Sequence, residues 1–271
     1  MSGTLYICGL PIGNPLDISE RVRTTLAHVD LLAAEDTRTA AELLSAYGIG
    51  KKILSYHDFS EQLKKEIVIN ELLSGKNIAL VSDAGMPVIS DPGYHLIRAA
   101  REANIPIVAI PGPTAATTAV ALSGLPSDRF CFEGFLANKQ SPRQVELKLL
   151  ATEPRTLVFY EAPHRLLEML QDCLSLLGDR QCFIGRELTK KYEEQVFGPL
   201  TAAIKRFQTR APKGEFVVVI AGAPKTTATV NEHQKLIQLL QDKGLSQKDI
   251  IEVVHEGLGV TKNELKTMFY Q

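Results

Sequence analysis

Three short stretches of the 271-residue chain place acidic and basic side chains next to one another after apolar runs. They are "AEDTR" at 34–38, "FYEAPHR" at 159–165 and "GRELTKKYEE" at 185–194. A carboxylate held near a cation can accept a proton from a reacting group, and arginine or lysine side chains can bind an anion. The same residue types also form ordinary ion pairs and helix caps, so these stretches alone leave both interpretations open.

A fourth stretch, "SDAGMPVISDPG" at 82–93, follows the apolar run at 78–81. Its glycines permit close backbone approach to a ligand, and its prolines fix the loop shape in advance. Asp83, at the predicted strand end, could accept hydrogen bonds from a ribose or an ammonium group, or could form an Asx turn within its own loop. Asp91 followed by Pro92 predicts a helix N-cap with proline at the first helical position.

The elements that position these loops alternate regularly over residues 1–115. Strand-length apolar runs alternate with helical patterns, which predicts a mainly parallel sheet covered on both faces. The predicted strands are 5–8, 31–34, 53–55, 78–81 and 107–110, and the predicted helices are 19–28, 40–47, 61–74 and 92–103. Ligands bind at the carboxyl ends of strands in such sheets.

A different pattern runs from residue 125 to 222. The predicted strands are 129–135, 156–161, 182–188, 194–197 and 216–221, and the predicted helices are 141–152, 163–177 and 199–208. The short polar connection between the third and fourth of these strands predicts an antiparallel hairpin, and therefore a second α/β domain with a mixed sheet. "GAPKTTATV" at 222–230 is predicted to be a linker.

A small helical tail follows, with two short helices joined at 256–260. Ser246 and Asp249 have the spacing of a helix-start capping pair, and Thr261 and Glu264 that of a full capping box. The two helices could form a helix-turn-helix that contacts nucleic acid, a pair that closes the domain, or a dimer contact. The predicted domains are residues 1–118, 119–224 and 225–271.

Composition and missing motifs exclude several classes of protein. Apolar residues make up 45% and charged residues 23% of the chain, as in globular proteins. The apolar runs are too short to cross a bilayer, and the N-terminus has no signal-peptide pattern, so we expect a cytoplasmic protein without membrane contact. The four cysteines and six histidines show neither C-x-x-C nor H-E-x-x-H spacing, so we expect no metal site.

Common nucleotide and hydrolase motifs are also missing. The absence of G-x-x-x-x-G-K-[ST], G-x-G-x-x-G and G-x-S-x-G argues against a P-loop, a dinucleotide-binding Rossmann site and an α/β-hydrolase. The net charge is −1, yet basic residues outnumber acidic ones over residues 129–213. Such a segment could meet an anion, although charge alone is equally consistent with solvated surfaces.

Six loops in order carry a resemblance to a known family. They read "GLPIGN" at 9–14, "AEDTR", "SDAGMPVISDPG", "PGPTA" at 111–115, "FYEAPHR" and "KGEFVVVIAG" at 213–222. Together they closely resemble the tetrapyrrole methylase superfamily over residues 3–224. Tetrapyrrole-modifying members usually read G-D-P where this chain has Ser82-Asp83-Ala84. The sequence is therefore more similar to the branch that methylates the ribose 2′-hydroxyl of a cytidine in the decoding centre of 16S ribosomal RNA.

The resemblance implies a two-domain α/β tetrapyrrole-methylase-like fold, usually homodimeric, with S-adenosyl-L-methionine bound in the cleft between the domains. It implies no metal. The cofactor-binding residues that it implies are Leu10, Pro11, Asp83, Met86, Thr114, Ala115, Tyr160, Leu188 and Gly214.

The implied reaction needs alignment of the acceptor oxygen with an already activated methyl group, and removal of a proton from a weakly acidic hydroxyl. We expect an acidic residue to accept that proton. The expected catalytic residues are Asp36, Glu161 and Lys190, and the expected RNA-binding residues are Arg38, Arg165 and Arg186. Lys190 could also meet a phosphate. The alternative is that these side chains form only ion pairs and caps.

The expected partner is 16S ribosomal RNA within the 30S subunit. One alternative keeps the cofactor and changes the substrate to a tetrapyrrole or another small molecule. Another alternative is a catalytically silent module that binds ribosomal RNA. The basic segment and the helical tail favour RNA as the substrate, and the complete set of cofactor loops argues against a silent module.

Overall fold

The computed structural model describes residues 1–57, 61–209, 212–224, 227–258 and 260–269. The chain separates into two compact units. The larger unit contains Met1–Ala151 and Arg155–Ala221, and the smaller contains Thr152–Pro154 and Gly222–Gln271.

The first sheet of the larger unit has the strand order β3-β2-β4-β1-β5, and each neighbouring pair is parallel. Its strands are β1 (Leu5–Cys8), β2 (Leu31–Ala34), β3 (Ile53–Ser55), β4 (Ile78–Val81) and β5 (Ile107–Ile110). Its helices are α1 (Glu20–His28), α2 (Thr37–Ala46), α3 (Glu61–Leu73) and α4 (Tyr94–Glu102). The five strands have the predicted bounds, and the predicted parallel sheet is confirmed.

Helices cover both faces of this sheet, which is why its strands read as continuous apolar runs. All four residues of β4 are buried, and successive side chains point to opposite faces. Leu80 packs in a cluster with Leu72 of α3 and Leu96 of α4, whereas Ala79 packs in the cluster that contains Leu26 of α1. Because the five strands are parallel, their carboxyl ends, and the loops that follow them, lie at the same edge of the first sheet.

The second sheet has the order β6-β7-β10-β8-β9 and is mixed. β6 and β7 pair parallel, and the remaining neighbours pair antiparallel, including the predicted hairpin of β8 and β9. Its strands are β6 (Phe130–Phe135), β7 (Thr156–Glu161), β8 (Gln181–Arg186), β9 (Glu194–Pro199) and β10 (Phe216–Ile220). The helices that accompany it are α5 (Ala115–Ser123), α6 (Gln140–Leu149), α7 (Leu166–Leu177) and α8 (Leu200–Gln208).

The helix α5 was not predicted, because the sequence at 111–119 reads as a loop rich in glycine, proline and threonine. Thr114 caps its start by accepting from the Thr117 N–H, and Gly124 ends it in the left-handed region at φ 67°. Ala119 and Val120 pack against the second sheet in a cluster that also contains Ile12. Helices α6 to α8 cover the opposite face.

The smaller unit contains the helices α9 (Thr227–Asp242), α10 (Gln247–Leu258) and α11 (Lys262–Phe269) around a small apolar cluster. Ser246 accepts from the Asp249 N–H at 3.3 Å, and Thr261 and Glu264 accept from each other's backbone N–H, so both predicted caps are confirmed. The predicted linker was wrong in part, since α9 begins at Thr227. Residues 225, 226 and 259 lie outside the described residues.

The proposed domain boundaries at residues 118 and 224 remain a proposal, since both sheets belong to one compact unit. Among the described residues, no helix combines the length and the apolar character that a membrane span requires. The same residues contain no group of three or more His, Cys, Asp or Glu side chains arranged to hold a metal ion.

Candidate active site

A cavity of about 410 Å³ lies in the larger unit, where loops at the carboxyl edge of the first sheet meet the second sheet. Its volume falls within the usual range for small-molecule sites. Seven of the nine predicted cofactor-binding residues line it, namely Asp83, Met86, Thr114, Ala115, Tyr160, Leu188 and Gly214. The predicted catalytic residue Glu161 also lines it. Loops from both sheets therefore converge on one cavity.

The loop after β1 approaches this cavity through Ile12 instead of the predicted Leu10 and Pro11. Leu10 is buried in the first-sheet core, and its backbone exchanges hydrogen bonds of 2.8 and 3.1 Å with Gly85. Leu10 and Pro11 are both buried, and neither lines the cavity. A role for these two residues in cofactor binding remains a prediction.

The loop after β4 holds unusual backbone conformations. Val88 and Ser90 have φ values of 77° and 65°, and a β-branched residue in that region costs about 1–3 kcal/mol. The predicted N-cap at Asp91 was wrong, because α4 begins at Tyr94 with Gly93 at the cap. The loop continues through Asp91, which lines the cavity.

Asp83 connects this loop to the neighbouring one. Its Oδ1 accepts a hydrogen bond from the Asp36 backbone N–H at 3.1 Å, so the carboxylate bonds outside its own loop and not in the alternative Asx turn. Burial at the cavity wall raises the pKa of Asp83, and the negative charge of Asp36 also raises it. A ligand that donates hydrogen bonds or carries positive charge would stabilise the ionised carboxylate.

The N-terminus of α5 forms another part of the wall through Thr114 and Ala115. The Tyr160 hydroxyl accepts from the Ala116 N–H at 3.3 Å, which connects β7 to this helix. Burial raises the pKa of Tyr160, so the phenol stays neutral at physiological pH. The start of α5 and the Tyr160 hydroxyl therefore add polar groups to a cavity wall that also contains the apolar side chain of Leu188.

Glu161 is the buried carboxylate of the cavity, with 2% of its surface exposed. Its Oε1 accepts from the Ala162 backbone N–H at 2.7 Å and from the Arg165 guanidinium. Its Oε2 is buried and has no hydrogen-bond partner. Leaving a buried carboxylate oxygen unpaired is costly, so this atom points to a polar ligand group.

Lys190 does not line the cavity but lies in a network of charges at its edge. Its Nζ donates to Glu187 at 3.0 Å and to Glu215 at 2.9 Å. Burial lowers the pKa of Lys190, but the hydrogen bonds to the two glutamates outweigh it and the net shift is upward. Gly214 lies close by, where a Cβ would meet the Glu187 side chain at 2.6 Å. Lys190 is therefore a fixed cation and not a proton acceptor.

The partly buried Asp36 and the exposed Arg38 form an ion pair outside the cavity. Asp36 caps α2 by accepting from the Arg38 N–H, and both carboxylate oxygens bind the Arg38 guanidinium at 3.1 and 2.6 Å. These hydrogen bonds lower the pKa of Asp36 to about 2, which makes it a weak base. The residue of this stretch that lines the cavity is Glu35.

Arg165 and Arg186 both form ion pairs with glutamates of the protein. The Arg165 side chain is 12% exposed and pairs with Glu161. Arg186 is 17% exposed, pairs with Glu194 at 3.2 Å, and donates to the Lys213 carbonyl. The Arg38 side chain is 86% exposed and the most accessible of the three predicted RNA contacts.

Several cavity residues were not predicted from the sequence. They include Ile12, Ile89, Asp91, Phe135 and Val217. All of these except Phe135 lie within the stretches that carry the family resemblance, so their position in those stretches could have identified them. Phe135 ends β6 three residues after Phe132, and its side chain reaches the cavity because of an irregularity in β6 that spacing alone does not reveal.

Two solved structures of methyltransferases share this fold. The methyltransferase CobJ aligns with a TM-score of 0.61 and 19% identity, over 82% of this chain and 95% of that one. The cobalt precorrin-4 methyltransferase CbiF aligns with a TM-score of 0.61 and 16% identity, over 80% and 94%. At these identities the likeness shows the fold, a two-sheet methylase architecture.

The model of the tetrapyrrole (corrin/porphyrin) methylases matches residues 4–204. The chain belongs to this family, and it is a methyltransferase. Proteins named ribosomal RNA small subunit methyltransferase I are similar over nearly the whole length. The Haemophilus influenzae protein is 44% identical over 98% of this chain and 95% of its own length, and that of Escherichia coli O157:H7 is 46% identical over 97% and 93%. The Synechocystis protein is 45% identical over 97% and 96%.

Proposed function

We propose that the protein transfers a methyl group from S-adenosyl-L-methionine to the ribose 2′-hydroxyl of a cytidine in 16S ribosomal RNA. The observation that carries the chemistry is the unpaired, buried Oε2 of Glu161 in a cavity lined by loops from both sheets. The RNA substrate is supported by the names of relatives that are 44–46% identical over almost the whole chain. Assembly as a homodimer, and a cytidine of the decoding centre within the 30S subunit as the target, are parts of the proposal.

The residues of the cavity fit this cofactor. Asp83 would accept hydrogen bonds from its ribose or ammonium group, and Met86 and Leu188 supply apolar surface. Backbone groups at Gly214 can approach a ligand closely, since this residue has no side chain and a φ of 92°. When bound, the cofactor supplies a methyl group on a positively charged sulfur, so no metal is needed to activate the donor.

Of the three predicted catalytic residues, Glu161 is the one whose geometry suits proton acceptance. Its Oε1 is held by Arg165 and the Ala162 N–H, which fixes the carboxylate, and its buried Oε2 has no hydrogen-bond partner. A ribose hydroxyl that donates to Oε2 would give its proton there as the new carbon–oxygen bond forms. Asp36 is a weak base because Arg38 lowers its pKa to about 2.

The remaining charged residues then take supporting roles. Lys190 stays protonated, and because it does not line the cavity it would bind a nearby phosphate and not the acceptor oxygen. Arg165 positions Glu161, whereas Arg38 is exposed and can bind a phosphate of the RNA backbone. Arg186 holds the loop before β10 through the Lys213 carbonyl.

A methyl-transfer assay tests this function. The purified protein is incubated with cofactor labelled in the methyl group and with 30S subunits that lack ribose methylation, with naked 16S RNA, or with a porphyrinoid. We expect label in the RNA, resistant to alkaline cleavage at a single cytidine. Label in the porphyrinoid alone would identify a small-molecule methyltransferase.

Calorimetric titration with S-adenosyl-L-methionine distinguishes a methyltransferase, whether its substrate is RNA or a small molecule, from a catalytically silent RNA-binding module. We expect saturable binding at one site per chain, and Asp83→Asn should weaken it. Absence of binding by a protein that still binds 30S subunits would contradict the proposed function.

A further inference from the structure

An exposed aromatic side chain at the mouth of the cavity has no role in the chemistry described so far. Phe135 lines the cavity, yet 54% of its surface is exposed. Ile89, which also lines the cavity, is 46% exposed. Other lining residues such as Leu188 and Val217 are only 5% exposed. Phe135 and Ile89 therefore lie where the cavity opens, and the buried apolar residues lie deeper.

The irregularity in β6 is what turns Phe135 toward the cavity. In the pairing with β7, Phe132 lies opposite Val158, but the next partners are Gly134 and Phe159, so Glu133 is an extra residue. Side chains alternate along a strand, and one inserted residue moves every later side chain to the other face.

The two faces of the second sheet, to which β6 belongs, pack against different groups of side chains. Cys131 packs in the cluster beneath α6 and α7, and an unbroken alternation would place Phe135 on that same face. With the bulge, Phe135 instead pairs in register with Tyr160, on the cavity face. Gly134 makes the bulge possible, because its φ of 63° is in the left-handed region that favours glycine.

The surroundings of Phe135 suit a flat ligand. Its ring meets the Tyr160 ring edge to face at 5.6 Å, and the Arg165 guanidinium lies 6.0 Å from its centre. Arg165 in turn pairs with Glu161, so the exposed ring lies beside the group proposed to accept the proton. Unpaired bases in RNA are commonly recognised by stacking on such aromatic side chains.

We propose that Phe135 is the surface on which the base of the acceptor nucleotide stacks, with Ile89 extending the apolar contact. This inference rests on the proposed RNA substrate. A base held by Phe135 would keep its own ribose near Glu161, which is the alignment that the reaction requires. The adenine of the cofactor is a second possible nucleobase, but the buried side chains of Leu188 and Val217 offer it an apolar surface deeper in the cavity.

The experiment compares Phe135→Ala with Phe135→Trp and with the control Phe197→Ala. Phe197 is an aromatic residue on β9 that is 61% exposed and does not line the cavity. KM and kcat for methyl transfer to 30S subunits are measured, together with cofactor affinity by calorimetry. Loss of one stacking contact raises KM by roughly 5- to 150-fold. We expect this rise in Phe135→Ala, near-normal values in Phe135→Trp and Phe197→Ala, and unchanged cofactor affinity in all three.

The other outcomes are decisive. An unchanged KM in Phe135→Ala, with the wild-type enzyme active on RNA, would overturn the stacking inference and leave the proposed function standing. A fall in kcat with normal KM would show that Phe135 does not contribute to substrate binding, and weakened cofactor binding would assign the ring to the cofactor; both overturn the inference. No transfer to RNA by the wild-type enzyme would overturn the proposed function and this inference together.

Discussion

Two buried carboxylates of the second α/β half, Asp172 and Glu161, differ in one respect. Both are paired with an arginine, and they are 4% and 2% exposed. Asp172 has every oxygen occupied, because Oδ1 accepts from Gln140 and Gln144 and Oδ2 accepts from Arg143. Glu161 lines a cavity, and its Oε2 is buried and has no hydrogen-bond partner.

The unpaired oxygen of Glu161 distinguishes a carboxylate that can bind a ligand from Asp172, whose role is structural. Burial raises the pKa of Asp172, but its hydrogen bonds outweigh burial and the net shift is downward. This carboxylate joins α6 to α7, and both of its oxygens accept hydrogen bonds from side chains of α6. Buried polar atoms are nearly always paired, so an unpaired one beside a cavity indicates the position of a missing partner.

The largest effect is expected from Glu161→Gln, which keeps the size of the side chain and removes its basicity. Loss of a general base lowers rates by roughly 10²–10⁴-fold. We expect kcat for methyl transfer to 30S subunits to fall in that range, while cofactor affinity changes little. Circular dichroism confirms the folded fraction. Full activity in this variant would remove Glu161 from the chemistry.

The next largest effect is on stability, in Asp172→Ala. Removing one partner of a buried pair leaves the Arg143 guanidinium, which is 1% exposed, without its carboxylate and costs about 3–5 kcal/mol. Urea denaturation measures the free energy of unfolding. Glu168→Ala is the control, because the Glu168 side chain is 67% exposed and lies 3.5 Å from the same arginine. We expect the control to lose less than about 1 kcal/mol; equal losses would contradict the comparison.

A smaller, pH-dependent effect is expected from Lys190→Met. Burial raises the pKa of Glu187, but the hydrogen bonds from the Glu215 backbone and Lys190 outweigh it and the net shift is downward. The folded state therefore gains stability above the ordinary value of 4.5 and loses it as the pH falls below that value.

The net pKa of Lys190 is raised, so its contribution is complete below the ordinary value of 10.5 and is lost at higher pH. Thermal unfolding of wild type and Lys190→Met across pH 3 to pH 11 should show the wild-type advantage between roughly pH 5 and pH 10. A constant difference at every pH would show that Lys190 contributes only packing.

The smallest effect is expected from Arg38→Ala, since this side chain is largely exposed. Loss of one phosphate contact should weaken binding to 30S subunits modestly and lower the slope of log K against log salt by about 1. Arg98→Ala, which removes an exposed arginine that pairs with Glu102 on α4, is the control and should leave the slope unchanged. Equal slopes in wild type and Arg38→Ala would exclude Arg38 from the RNA interface.

Local patterns predicted much of the fold. The strands of the first sheet were predicted with the bounds that the structure has, because buried parallel strands read as short apolar runs between turn residues. The helix α5 was missed because Thr114 to Ser123 is rich in threonine and small residues, and its helical form depends on packing against the second sheet. The cap at Asp91 was wrong because Gly93 and the strained Val88 extend the loop.

Site residues were predicted as far as their loops carried recognisable motifs. Asp83, Tyr160 and Glu161 lie on one cavity as expected, whereas the aromatic side chain at its mouth depends on the bulge at Gly134. A bulge in a parallel pair is set by the register between β6 and β7, strands separated by a helix in the chain, and no local pattern fixes that register. Likewise, the unpaired Oε2 of Glu161 follows from where its partners lie in space.

The most direct test compares Glu161→Gln with Asp172→Asn, since each replaces one carboxylate oxygen with an amide NH₂ at a buried position. Single-turnover methyl transfer to 30S subunits is measured with saturating cofactor, at a temperature where both variants are folded. We predict a rate at least about 100-fold below wild type for Glu161→Gln, and within about threefold of wild type for Asp172→Asn. Equal rates in the two variants, or the slower rate in Asp172→Asn, would contradict the assignment of Glu161 as the carboxylate that meets the substrate.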